Sequence, residues 1–509
     1  MPAMKRPPVR VVIVLALTAM AVLLYLERVC VSVAEGYIRW DLGLDKLRMD
    51  AAFGAFFIAY ALGQVPGGYL AQKYGPRLIL TLSMAGWSVF GIFIALAQDF
   101  PTLFAARFLL GLSQASAYPA AAVLLKRWIP DRHRGIANGV VAFGGRFGGA
   151  AATGLTGFLI IAFVPLSTPA TVTESDFTNG TGPSNSRVDF SNHFITGGDK
   201  YSLLAPEDES QMTYDAKHIH TVPVDNRSSG ESQRLNRLVL EKLDRTLRPL
   251  HTTGWRPTLF TYGLLGVIVG AVVWLVVRDT PRQHPWVTSQ ELDTIEAGVT
   301  PSPPVSYAIP WRALVTSGNQ WLYCGMSFFS NYGWVFLITL VTRYLSERFA
   351  TPVDRLGVYT TIPLFLAAFG MLAGGGVTDY LARRLGVRRG RAYPMGAMKW
   401  PCAALLALTP WLPEAWMVVA ALSVMAVCQD FGIPAVWAFA QDTGGRQVGA
   451  VLGWGNMWGN FGAGVAPVVM GLIATNAGWD AALWSGAAAF AISGLCGVLT
   501  DASQPLQAG

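Results

Sequence analysis

The 509-residue chain is 52% hydrophobic and only 14% charged, with a mean hydropathy of +0.39, which excludes a set of soluble domains. Its net charge of +7 sits in short loops between apolar runs, where anionic lipid headgroups meet it, so no nucleic-acid partner is implied. The composition predicts an all-α membrane protein.

Twelve apolar runs are long enough for the roughly 20 residues of a spanning helix: about 11–34, 52–71, 77–98, 102–127, 136–164, 255–277, 321–345, 357–381, 392–411, 415–440, 448–474 and 479–499. Every second loop is basic: Lys5, Arg6 and Arg10; Lys73 and Arg77; Lys126, Arg127, Arg132 and Arg134; Arg278 and Arg282; Arg383, Arg384, Arg388, Arg389 and Arg391. The positive-inside rule then places both termini in the cytoplasm of a multi-pass cell-membrane protein. Ser32-Val33-Ala34 resembles a signal-peptide cleavage site, but Glu27-Arg28 interrupts the apolar core that such a peptide needs. The five cysteines lie in or beside apolar runs without metal-ligand spacing and read as packing residues.

The expected division is 1–164 for the first five spans, 165–253 for a polar extracytoplasmic insertion, 254–278 for the sixth span, 279–320 for a cytoplasmic linker and 321–509 for six further spans. The insertion carries two Asn-X-Ser/Thr acceptor patterns, at Asn179 and Asn226, and a weak metal pair, His218 and His220.

After the second span stands "GGYLAQKYGPR" (Gly67 to Arg77), and six spans later "GGGVTDYLARRLGVRRGR" (Gly374 to Arg391). A six-plus-six repeat is the plan of two-lobed secondary transporters, whose substrate sits at mid-membrane between the halves. With "ARFLLGLSQASAYPAA" in the fourth span, the chain resembles the major facilitator superfamily. Within it, the chain is similar to the anion:cation symporter family of hexuronate, galactonate and glucarate carriers, through "YLERVCVSVA", "RFLLGLSQASAYPAAAVLLKRWIPDRHRGIANG", "RDTPRQHPWVTSQEL" and "WGNMWGNFGAGVAPVVMG". The resemblance implies two pseudo-symmetric six-helix lobes that transport a small organic anion.

Glu27 and Arg28 lie only about 7 Å beyond the first span's midpoint, at a rise of 1.5 Å per residue. A charge near a span's centre costs roughly 2.5–3.5 kcal/mol on insertion scales and faces the bundle interior or a wet cavity. Two roles are expected: Arg28 as the planar donor to a substrate carboxylate, and Glu27 as the carrier of the coupling proton. A structural ion-pair network is the competing reading. Seven residues past Arg107, on the same helical face, stands Gln114, where galactonate-type relatives hold a second acid. Arg107 is open to three roles: anion contact, gating of Glu27, or packing. Arg146, flanked by glycines, is expected as a second anion contact. Asp430 is either a displaced coupling carboxylate or a buried acid paired with an arginine. Asn456 and Asn460 share a face of the eleventh span, and with Asn331 and Tyr332 of the seventh they are expected to meet substrate hydroxyls or each other's helices. Trp334, Trp437, Trp454 and Trp458 are candidate wall residues among 17 tryptophans.

The expected conformational latch comprises Gln72 and Arg77 in the first glycine-basic turn and Asp379 with Arg383 in the second, and it is one-sided because Gln72 replaces the family's acid. No catalytic constellation, phosphate loop or nucleophile elbow is present, so the chain is expected to be no enzyme and to use an ion gradient without a cofactor. Altogether the residues predict a monomeric, proton-coupled importer of a sugar acid such as a hexuronate or aldonate. Sodium is the alternative coupling ion; anion exchange or export, or a non-transporting anion sensor, are the alternative functions.

Overall fold

The computed structural model describes residues 7–163, 254–297, 309–349, 351 and 353–506. The polar insertion, with its acceptor patterns and histidines, lies outside the described residues. Among those described there is no strand, and nine helical stretches are long and apolar enough to cross a membrane.

Two of the nine are pairs of spans. Gly386 (φ 81°) and Gly478 (φ 85°) interrupt the helices Val353–Ala392 and Val448–Leu499 with left-handed backbone that a side chain would strain. Each glycine reverses the chain between consecutive spans. With the glycine-rich helix Arg134–Ala162, the count reaches twelve.

The spans are Val9–Val33, Lys46–Tyr74, Pro76–Leu96, Phe100–Trp128 broken at Ser116, Arg134–Ala162 and Trp255–Val276 in the first lobe. The second lobe holds Gly318–Phe349, 353–385, 387–411, Ala415–Thr443 broken at Gly432, 448–477 and 479–499. The same pairs touch in each lobe: first with fifth and seventh with eleventh, second with fourth and eighth with tenth, third with sixth and ninth with twelfth. The two broken spans, fourth and tenth, also correspond. Each break precedes a proline in the first turn of the new helix, Pro119 at its third position and Pro434 at its second, whose missing N–H ends the earlier ladder.

The lobes meet along two seams, second span with eleventh and fifth with eighth. Both are glycine contacts between backbones. A Cβ on Gly68 would strike the carbonyl of Gly449, and one on Gly135 would stand 2.6 Å from the carbonyl of Gly375. These contacts lie at the bundle's basic end.

Hydrogen bonds reinforce that closure. Asp379 accepts from the Gly135 and Ile136 N–H groups at 2.8 and 2.9 Å, so a second-lobe acid caps the fifth span. Arg134 pairs with Asp442 at 3.2 Å, and Arg391 bridges Asp442 (2.9 Å) and Asp379 (3.5 Å). Lys126 donates to the carbonyls of Gln441 and Gly445, and Asn138 exchanges bonds with Gln441. The linker is fixed at the same end: Glu291 accepts from the Val9 and Arg10 N–H groups, capping the first span.

The sequence pairing of Asp379 with Arg383 is corrected here. Arg383 is exposed. Because the chain turns back at Gly386, it is Arg391 that reaches Asp379. Among the described residues Arg77 joins no lobes either: it donates to the Trp274 carbonyl at 2.7 and 3.0 Å and lies 3.8 Å over the Trp274 ring, all within the first lobe. Gln72 keeps a buried Nε2 without a partner.

Candidate functional site

Between the lobes lies a cavity of about 190 Å³, small beside the roughly 300–1,000 Å³ of drug-sized ligand pockets, which suits a compact solute. The first lobe lines it with Tyr25, Arg28, Tyr60, Tyr118, Ala142 and Arg146. From the second lobe come Ser327, Ser330, Asn331 and Trp334 of the seventh span, Lys399 of the ninth, Gln429 and Trp437 of the tenth, and Asn456 and Asn460 of the eleventh. The breaks in the fourth and tenth spans face each other here, with Tyr118 edge-on to Trp437 at 4.9 Å between ring centroids.

Arg28 is held by rings and one amide. Its guanidinium carbon lies 4.4 Å from the Tyr60 ring centroid and 5.1 Å from those of Tyr25 and Phe56. Nη2 donates to Gln114 Oε1 at 3.3 Å, and Gln114 is anchored to the Leu24 carbonyl. Among the described residues Arg28 has no carboxylate partner, and its Nε has no hydrogen bond. Gln114 therefore orients Arg28 from behind and does not line the cavity.

Arg146 is differently placed. Its Nε and Nη2 grip Asp430 at 2.6 and 2.8 Å, a bidentate pair between fifth and tenth spans, and its guanidinium lies 4.6 Å from the Trp334 ring. The expected second anion contact is thus already neutralised, and Asp430, fully buried, takes the paired-acid alternative.

Two charged candidates stand behind the wall. Arg107 is 2% exposed, lies 4.8 Å from the centroid of the same Phe56 ring that Arg28 approaches, and leaves Nε and Nη1 without partners among the described residues. Glu27 turns away from the cavity toward the third and sixth spans: a methyl on Gly266 would stand 2.8 Å from its Oε1, and one on Gly91 3.4 Å from Oε2. Neither oxygen has a hydrogen-bond partner among the described residues, so an ionised carboxylate there lacks a hydrogen-bonded counter-group.

The asparagines converge as their spacing suggested. Asn331 and Asn460 each donate one N–H back to the carbonyl four residues earlier, Ser327 and Asn456, at 2.9 and 2.8 Å. That leaves both side-chain carbonyls for other donors. Tyr332 does not reach the cavity, because its hydroxyl bonds Ser485 of the twelfth span. Of the four tryptophans, Trp334 and Trp437 line the wall, while Trp454 and Trp458 meet Trp321 edge-on. The tyrosines, the serines, Gln429 and Lys399 were not singled out from sequence. Lys399 had a visible signal, a lone cation between Met398 and Trp400 in an apolar run.

A two-lobed helical bundle around such a cavity matches one family. The family model for the Major Facilitator Superfamily covers residues 17–169 and 250–467. The chain belongs to the Major Facilitator Superfamily. It is a membrane transporter and not an enzyme. This facilitator is similar to a probable galactarate/D-glucarate transporter of Escherichia coli (strain K12), 23% identical over 93% of this chain and 89% of that protein. It is also similar to a hexuronate transporter of Bacillus subtilis (strain 168), 23% identical over 92% of this chain and 88% of that one. In fold it resembles the Escherichia coli fucose:proton symporter, with a TM-score of 0.62 at 13% identity, covering 96% of this chain and 98% of that one.

Proposed function

We propose that this facilitator carries a sugar acid across the cell membrane by proton-coupled symport, rocking its lobes about the cavity. One observation carries the reading: Arg28 projects into an interlobe cavity without a carboxylate partner. A cation held at such depth without a counter-ion is expensive, and an anionic substrate supplies the missing partner by charge-assisted hydrogen bonds. Tyr25, Tyr60, Tyr118, Asn456 and Asn460 surround that point with groups that bond hydroxyls. The transport names of the two bacterial relatives support the same solute class.

Glu27 is the proton carrier in this reading. It sits next to the anion clamp in sequence, and its unpartnered carboxyl suits a neutral loaded state. The basic end faces the cytoplasm by the positive-inside rule, with both termini on that side. Because the lobes are bonded at that end, this reading makes the described state one that is closed to the cytoplasm.

The test uses proteoliposomes with labelled galactarate, galactonate and glucuronate. An imposed inward proton gradient is expected to drive accumulation above equilibrium, unaffected by replacing sodium. Glu27→Gln abolishes accumulation but spares counterflow; equal loss of both makes the acid structural. Gln114, an amide hydrogen-bonded to Arg28, favours anion exchange as a second reading, since it leaves the first lobe with one buried acid beside the clamp. Wild-type counterflow without gradient dependence would establish that reading instead.

A further inference from the structure

The cavity wall carries three cations. Arg28 belongs to the first lobe and has no acid, while Arg146 is neutralised bidentately by Asp430. Lys399 belongs to the second lobe. Its Nζ donates to the Gln429 carbonyl at 3.1 Å and to Gln429 Oε1 at 2.6 Å, and no carboxylate lies within 4 Å of it among the described residues. Gln429 is itself tied to Ser330, which it meets at 2.9 Å through Nε2.

This lysine is placed deliberately by the chain. The ninth span is interrupted by a π turn, Tyr393–Ala397, at a proline-containing step, and the extra residue re-aims the helix that starts at Lys399. Gly396 lets the turn press against the Gly497 backbone. The result is an ammonium only 1% exposed, at the cavity's far wall, with neutral partners alone. Two unpaired cations therefore face one cavity from opposite lobes, and one anionic group satisfies only one of them. Arg107 and Glu27 lie outside the wall.

We propose that the solute is a dianion, a dicarboxylate of the aldarate kind, with one carboxylate on Arg28 and the other on Lys399. This rests on the sugar-acid reading above. A bridging diacid ties the first lobe to the second through its own length, so the loaded cavity is drawn shut by the substrate. A monoacid of equal length leaves Lys399 unmatched and the lobes unlinked.

The experiment compares galactarate with galactonate, six-carbon acids that differ in one terminus, in binding read by tryptophan fluorescence and in uptake. Wild type is expected to prefer galactarate at least thirtyfold. Lys399→Gln collapses the preference to within threefold by weakening galactarate far more than galactonate, and Lys399→Arg restores most of it. Equal affinity for both acids in wild type overturns the dianion proposal while leaving sugar-acid transport intact. Proportional loss of both acids in Lys399→Gln, with no rescue by arginine, also overturns it. Failure of wild type to bind either acid removes the underlying transport reading as well, so the two failures are distinct.

Discussion

Arg28 is caged by three aromatic rings and fixed by one amide, a geometry that holds a planar fork still and leaves the ordering cost of binding small. A hydrogen bond to a charged group contributes about 1.5–3 kcal/mol. Arg28→Gln is therefore expected to weaken anion binding roughly tenfold to a hundredfold, in equilibrium binding at constant pH. Retained affinity would remove Arg28 as the clamp. His284 offers a pH prediction outside the membrane. Its Nε2 pairs with the Val276 carbonyl at 3.0 Å, its Nδ1 accepts from the Trp286 N–H at 3.2 Å, and burial pushes its pKa below the ordinary value. The folded state thus favours the neutral ring: its stabilisation is full above the unfolded pKa of about 6.5 and is lost as the pH falls below it. Melting curves between pH 7 and 5.5 should decline less in His284→Gln than in wild type; an unchanged slope would show that the imidazole is not the titrating group. At this scale much was legible. Arg28 and the three asparagines stood out because polar residues inside apolar runs are costly. The three tyrosines did not, since a tyrosine in a span reads equally well as an interfacial belt residue. Arg146 and Asp430 stood out singly, but not as each other's partners, since they are 284 residues apart in different lobes.

The two glycine-basic turns are equivalent elements with unequal chemistry. In the second, Asp379 follows Gly375 by four residues, one helical turn, and caps the fifth span beside the Gly375–Gly135 contact. In the first, Gln72 follows Gly68 by the same four residues beside the Gly68–Gly449 contact, but its amide nitrogen is unpartnered. Gln72→Asp is expected to supply the missing cap on the eleventh span, a change of about 1 kcal/mol. It should raise the melting temperature and slow turnover by holding the basic end shut; faster turnover would contradict a latch role for this turn. Gly68→Val should act oppositely, because its side chain occupies the Gly449 carbonyl's space. Spin labels at the basic ends of the second and eleventh spans would report a wider separation. The twelve spans were readable from hydropathy, and the six-span repeat from these turns. Which arginine meets Asp379 was not, because it depends on the reversal at Gly386, a backbone property of one residue.

As a whole molecule, the chain is two copies of one helical plan joined at one end. Interlobe hydrogen bonds and ion pairs among the described residues lie at the basic end or level with Arg146 and Asp430. Alternation then requires the basic-end bonds to break as new contacts form on the opposite side. Neither lobe alone lines the cavity, since Arg28 belongs to the first and the asparagines to the second. The most direct measurement is galactarate uptake into proteoliposomes under an imposed inward proton gradient, for wild type and Arg28→Gln side by side. The account predicts accumulation in wild type that collapses with a protonophore and is absent in the variant. Accumulation in both, or in neither, would contradict an anion carried on Arg28.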